Sequence, residues 1–187
     1  MTDKSRSKDK GLKNKMVRAL FPGTFDPIHY GHIDIASRAS RLFDEVIMAV
    51  YDKPLKSLMF SPEERMELVR AAFSDNPKIK VTGYSGLTVE YARTIDAQVI
   101  VRGLRVFSDF EFEFRMGLAN QRLANDIETV AFITAEEHTF LSSSTVKEIA
   151  SLGGDVSSMV PAHVDTALKN KVMSLGDGHA LPNALRD

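Results

Sequence analysis

Five short apolar runs rich in β-branched residues recur along the chain, at residues 16–21, 46–50, 79–82, 98–101 and 129–133, separated by amphipathic stretches. Runs that are nearly continuous in Val, Ile and Ala suit strands buried on both faces, as in a parallel sheet. The stretches between them predict helices. One covers about residues 31–43, with Ile35, Ala39, Leu42 and Phe43 on one face, and another covers 62–73, where Ser61 caps and Pro62 fills the first helical position. Shorter helices are predicted over 87–94 and 143–152. Residues 110–114 read Phe-Glu-Phe-Glu-Phe and alternate like a strand, but Met116, Leu118, Ala119, Arg122 and Leu123 return to helical spacing. With Ser108-Asp109 as a cap, this predicts a helix over about 109–125. Phe110, Phe114 and Leu118 form its apolar face, Glu113 borders that face, and the other phenylalanines are left partly exposed for a subunit contact. Strict alternation of strand and helix predicts a doubly wound, five-stranded parallel α/β sheet, which receives ligands at its carboxyl edge.

The 187 residues and their 43% hydrophobic content suffice for one sizeable core over residues 16–173. Lys and Arg number 24 against 25 Asp and Glu, a net charge of −1, which is far from the basicity of a dedicated nucleic-acid binder. Residues 1–15 hold six cations against two carboxylates, a net +4, and read as a mobile basic arm. Its functional reading is a phosphate or nucleic-acid tail, and its bland one a solubilising extension. Residues 174–187, rich in Gly, Asp, Asn and Pro, read as a loose tail. With no cysteine, disulfide, thiolate and cysteine-nucleophile chemistry fall away. No apolar run approaches the roughly 18–20 residues that span a bilayer, so a soluble, cytoplasmic protein is expected, with no membrane or nucleic-acid partner.

The sharpest motif follows the first strand: Phe21-Pro22-Gly23-Thr24-Phe25-Asp26-Pro27-Ile28-His29-Tyr30-Gly31-His32. Gly23 removes a side chain where a phosphate could approach the backbone, and Thr24 adds a hydroxyl and an N–H. Gly31-His32 opens a helix whose unpaired N–H groups favour an anion, within reach of the His32 imidazole. Prolines and glycines here also serve as plain turn punctuation. A zinc pair of His29 and His32 lacks a third ligand nearby. These residues resemble the signature of the HxGH nucleotidyltransferase superfamily, whose fold is Rossmann-like.

Two further constellations sharpen the resemblance. Arg102-Gly103-Leu104-Arg105 ends the fourth strand, and Asp109-Phe110-Glu111-Phe112-Glu113 follows. Two guanidiniums at the sheet edge can grip phosphates, with Gly103 allowing a turn between them, or they can bridge Glu111 and Glu113 on the surface. After the fifth strand, Ser142-Ser143-Ser144-Thr145 opens a helix, where hydroxyls satisfy orphan N–H groups and leave others for a triphosphate. Thr145 and Glu148 also fit a capping box. Together these segments are similar to the phosphopantetheine adenylyltransferase family over residues 17–172.

That resemblance implies AMP transfer from ATP to 4′-phosphopantetheine, with Mg²⁺ on the triphosphate and no protein metal site, in a homohexamer built from trimers. His32, Thr24, Lys56 and Arg102 would carry the reaction, and Lys53 is the rival of Lys56. ATP would meet Gly23, Thr24, Phe25, His32, Gly103, Leu104, Arg105, Glu113, His138, Thr139, Phe140, Leu141, Ser142, Ser143 and Ser144. The acceptor would meet Thr24, Lys56, Thr88 and Arg102, although Thr88 reads equally as the first turn of a helix. Two positions depart from the pattern: His138 stands where many members carry an aromatic near the adenine, and His29 where many adenylyltransferases of this type carry another residue. Sister cytidylyltransferases and nicotinamide-nucleotide adenylyltransferases tend to end in Ile-Ser-Ser-Thr-x-x-Arg. Lys147 precedes Glu148 here, without that arginine. A nucleotide-sensing module without turnover is the alternative from another class.

Overall fold

A computed structural model describes residues 16–54 and 58–175. Its strands are β1 (Arg18–Gly23), β2 (Glu45–Tyr51), β3 (Ile79–Tyr84), β4 (Val99–Leu104) and β5 (Glu128–Ile133), and its helices are α1 (Tyr30–Leu42), α2 (Pro62–Ala72), α3 (Thr88–Thr94), α4 (Phe107–Leu123), α5 (Ser143–Ser151) and α6 (Ala162–Leu175). All strand pairs are parallel, in the order β3-β2-β1-β4-β5. The five predicted strands and the doubly wound architecture are therefore present.

Side chains alternate across the sheet with period two. Ala19, Phe21, Val46, Met48, Val50, Val99 and Val101 join a core with Ile35 and Ala39 of α1, Val69 of α2, Val146 of α5, and Val164 and Leu168 of α6. Leu20, Ile47, Ala49 and Ile100 face the other way, against Val89 and Ala92 of α3 and against Ala124 and Ile127 after α4. Burial on both faces explains why β1, β2 and the first half of β4 read as unbroken apolar runs, while the edge strands β3 and β5 are largely half-buried or exposed.

The chain leaves β3 at one edge and returns beside β1 as β4, which makes the β1/β4 boundary the topological switch point. β1 is registered with β2 along its whole length, Arg18 to Glu45 through Gly23 to Val50. Its pairing with β4 stops at Ala19–Val99 and Leu20–Ile100. Beyond Leu20 these strands no longer pair, and a crevice opens at their carboxyl ends.

Four local expectations are corrected. α6 was not foreseen, although Val160, Val164 and Leu168 are all fully buried and recur at helical spacing, and it runs to Leu175, beyond residue 174 where a tail was expected. α4 starts at Phe107 with no side-chain cap. Asp109, read as part of a cap, instead accepts from the Arg105 N–H at 3.1 Å. Neither face of α4 is buried within the chain, since Phe110, Phe114 and Leu118 are 49%, 54% and 52% exposed. Finally, β4 continues through Gly103, so no turn separates the two arginines. A Cβ at this glycine would strike Ile35 Cδ1, so any larger residue would require the Ile35 side chain to shift.

Candidate active site

The crevice at the switch point is a cavity of about 770 Å³, walled by β1, α1, β4, α4 and the start of α5. Gly23, Thr24, Phe25 and His32 reach it from the β1–α1 turn, Arg102, Gly103 and Arg105 from β4 and its end, Glu113 from α4, and Ser142, Ser143 and Ser144 from α5. Thr88 lines it from α3, beside Tyr51 and Tyr84.

His32 lies at the third position of α1, in edge-on contact with the Phe25 ring at 5.0 Å. Its Nδ1 accepts the His29 backbone N–H at 3.3 Å. An accepting Nδ1 carries no proton, so the neutral ring holds its proton on Nε2. The His29 imidazole stacks on His32 at 3.7 Å, and its buried Nδ1 has no hydrogen-bond partner. Desolvation, with Arg105 and His138 adding to it, lowers the His29 pKa to about 3. His29 is thus a neutral spacer packed against the His32 ring.

The two arginines are each clasped by a carboxylate. Arg102 makes a two-bond fork to Glu113, at 2.6 and 2.5 Å, and donates to the Pro22 carbonyl at 3.1 Å. The surface alternative named Glu113 correctly but not Glu111, which pairs with Arg115. Arg105 holds Asp109 at 2.9 and 3.1 Å and donates to the Leu141 carbonyl at 2.6 Å, tying the end of β4 to the entry of α5. Burial pushes the Asp109 carboxyl up, but bonds from the Arg105 side chain and backbone outweigh it and hold the group below the ordinary carboxylate range.

At the α5 entry, Ser142 is the true N-cap: its Oγ accepts the Thr145 N–H at 3.0 Å, so the box built on Thr145 and Glu148 is not the one used. Ser143 Oγ donates to the Pro27 carbonyl at 2.8 Å, joining the first residue of α5 to the β1–α1 turn 116 residues away in sequence. Ser144 is the exposed member of the trio.

Beneath this rim lies a buried ion pair. Asp26 accepts from Lys147 Nζ at 2.7 Å and from the Met59 and Phe60 N–H groups at 3.0 and 2.9 Å. One carboxylate thereby joins the β1–α1 turn, the segment before α2, and α5. Nothing in the local sequence marks Asp26 or Lys147 for this, because the partner lies 121 residues away.

Some expected contacts fall outside the cavity wall. Leu104 lines a smaller cavity with Phe110 and Phe114, Leu141 is buried, and Phe140 projects into solvent. Thr139 donates to the Glu136 carbonyl, and His138 stands 6.4 Å from the Tyr30 ring. Lys56 and residues 1–15 lie outside the described residues. The wall also holds residues that sequence reasoning left out, among them Tyr84, whose hydroxyl is 3.1 Å from that of Thr88. Burial raises the Tyr84 pKa despite the Thr88 bond, so this phenol stays a neutral hydrogen-bonding group.

The cytidylyltransferase-like family matches residues 20–149. A protein of Roseiflexus sp. (strain RS-1) named phosphopantetheine adenylyltransferase is 56% identical over 154 residues, 82% of this chain and 96% of its own. Proteins of the same name from Herpetosiphon aurantiacus and Methylococcus capsulatus are 50% and 49% identical, over 82% and 86% of this chain and 93% and 99% of theirs. The chain belongs to the phosphopantetheine adenylyltransferase family. Matches of this extent cover more than four fifths of the chain, so the family assignment does not rest on the HxGH segment alone.

Proposed function

We propose that this protein transfers AMP from ATP to 4′-phosphopantetheine, giving dephospho-CoA and pyrophosphate. The observation that carries this is the single cavity at the β1/β4 crevice, lined together by His32, Thr24, Arg102, Arg105 and the α5 hydroxyls. An oxygen of the acceptor phosphate attacks the α-phosphorus of ATP, a new P–O bond forms, and the bond to the β-phosphate oxygen breaks with pyrophosphate as leaving group. A phosphate monoester is largely ionised near neutral pH, so no strong base is required, and catalysis consists of positioning and charge stabilisation.

His32 donates from Nε2 to an α-phosphate oxygen as negative charge gathers there, a role supported by the Nδ1 acceptor bond that leaves the proton on Nε2. Thr24 orients the attacking phosphate, which Lys56 and Arg102 hold. Arg105, Glu113 and the serines at 142–144 hold ATP, and Glu113 keeps the Arg102 fork at a defined angle. ATP would carry Mg²⁺ on its triphosphate, where the ion would supply charge neutralisation for the leaving pyrophosphate. The donor set suits an ion carried on the triphosphate: Asp109 and Glu113 are each bound to an arginine, and no cluster of three or more His, Cys, Asp or Glu side chains that could hold a metal occurs among the described residues.

We also infer a homohexamer acting in the cytoplasm on small molecules, with no nucleic-acid or membrane partner. The apolar face of α4 supports assembly, and among the described residues no helix is long and apolar enough to cross a membrane. Pyrophosphate release, measured with ATP or CTP against phosphopantetheine, nicotinamide mononucleotide or no acceptor, tests the activity. Release is expected only with ATP and phosphopantetheine together. Preference for CTP or for the mononucleotide assigns a sister reaction.

A further inference from the structure

Arg65 heads the fully buried side chains by size, has no exposed surface, and is charged. From the second turn of α2 it crosses to the carboxyl ends of β1 and β2. Its Nη1 donates to the carbonyls of Thr24 at 2.7 Å and Tyr51 at 2.8 Å, its Nη2 to that of Asp52 at 3.4 Å, and its Nε is buried without a partner. Among the described residues no carboxylate lies within ion-pair distance of it. Desolvation lowers its pKa while Asp26 and Asp52 oppose the shift, and a guanidinium keeps its proton under such conditions. The nearby Asp26 is already paired with Lys147.

A buried cation facing carbonyls alone is an expensive way to fasten a helix. α2 does not need it: Val69 is fully buried, Ser61 caps the helix in a reciprocal box with Glu64, and Asp26 holds the Met59 and Phe60 N–H groups just before it. What Arg65 holds is the turn at Thr24. In a trans peptide the C=O and the following N–H are antiparallel, so a Thr24 carbonyl pinned to Arg65 turns the Phe25 N–H away from it. Thr24 and Phe25 both line the cavity. Phe25 also has φ at +50°, a conformation that a non-glycine residue keeps only when its surroundings enforce it.

We propose that Arg65 is a positioning residue for the phosphates of both substrates: its fork fixes the Thr24–Phe25 peptide at the cavity floor, and its buried charge beneath that turn favours their phosphorylated forms. This rests on the proposed function, in which Thr24 orients the attacking phosphate and the Thr24–Phe25 turn meets ATP. The field of a cation in a low-dielectric interior is poorly screened and acts on any anion seated above it. A merely structural strut would instead affect charged and neutral ligands alike.

The test is calorimetric binding of ATP against adenosine, and of phosphopantetheine against pantetheine, to wild type, Arg65→Met and Arg65→Lys, with thermal melts to confirm folding. Arg65→Met is expected to weaken both phosphorylated ligands at least about tenfold and the unphosphorylated ones less than about twofold. Arg65→Lys keeps the charge but loses the fork, so a selective loss of about threefold is expected. Equal weakening within each pair, or none, in a folded variant overturns the assignment. If Arg65→Met does not fold, the selective loss in Arg65→Lys decides in the same way. A wild-type protein that releases no pyrophosphate with ATP and phosphopantetheine sinks the transfer reaction, while the comparison of ATP with adenosine still decides the case of Arg65.

Discussion

Two stacked imidazoles of the same residue type are given different tasks chiefly by burial. His29 is buried and its pKa falls to about 3, whereas His32 is only half-buried in the cavity wall they share. The consequence is a pH dependence of stability. Between about pH 6.5 and 3 the unfolded chain binds a proton at residue 29 that the folded chain refuses, so this group's contribution falls as pH falls, by about 1.4 kcal/mol per unit inside the window. His29→Asn should flatten the dependence of denaturant stability on pH between 6.5 and 4.5. An unchanged slope would show that His29 takes up its proton normally. Residues were legible where chemistry is local: the HxGH segment and the serine run each sit within a few positions of a strand-to-helix junction. Arg65, Asp26 and Lys147 were not, because a buried charge is recognised by its partners, and those are brought by β1, β2 and α5 from distant parts of the chain.

Elements meet at the cavity through a few cross-links, and the Asp26–Lys147 pair connects three of them. Breaking a buried pair from one side leaves the other charge uncompensated. Lys147→Met should therefore cost about 3–5 kcal/mol in chemical denaturation, far more than the removal of an exposed lysine such as Lys169 on α6. A loss under about 1 kcal/mol would mean that the two backbone N–H groups suffice to hold Asp26. Element type was readable wherever hydrophobic period was clear, which covers all five strands and α1, α2, α3 and α5. α6 was passed over although Val160, Val164 and Leu168 carry the helical spacing. Boundaries erred where a backbone group found an unforeseen partner, as when Asp109 turned back to the Arg105 N–H and left Val106 as the helix boundary.

For the molecule as a whole, one helix is left with both faces uncovered. Phe107, Phe110 and Phe114 stack in a row along α4, at 6.2 and 5.8 Å, with Phe107 85% exposed. An apolar surface of this kind suits a subunit contact, which the proposed homohexamer requires. Replacing Phe110 and Phe114 together by Asp should shift the particle to a smaller species in light scattering, and an unchanged mass would remove α4 from the interface. The sheet's parallel, doubly wound character was readable from strand alternation, but its strand order and the crevice were not, since the crevice depends on β1 and β4 ceasing to pair beyond Leu20. That crevice brings His32 of α1 and Arg102 of β4 into the wall of one cavity, where the proposed reaction has the first meet the α-phosphate and the second the attacking phosphate. The most direct test is a cycle of His32→Ala, Arg102→Ala and the double variant, reading kcat/KM for dephospho-CoA formation. Each single change should cost at least about a hundredfold, and the double should cost clearly less than their product, as expected for groups serving one transition state. Near-normal turnover in His32→Ala, or fully multiplicative losses, would contradict a shared site.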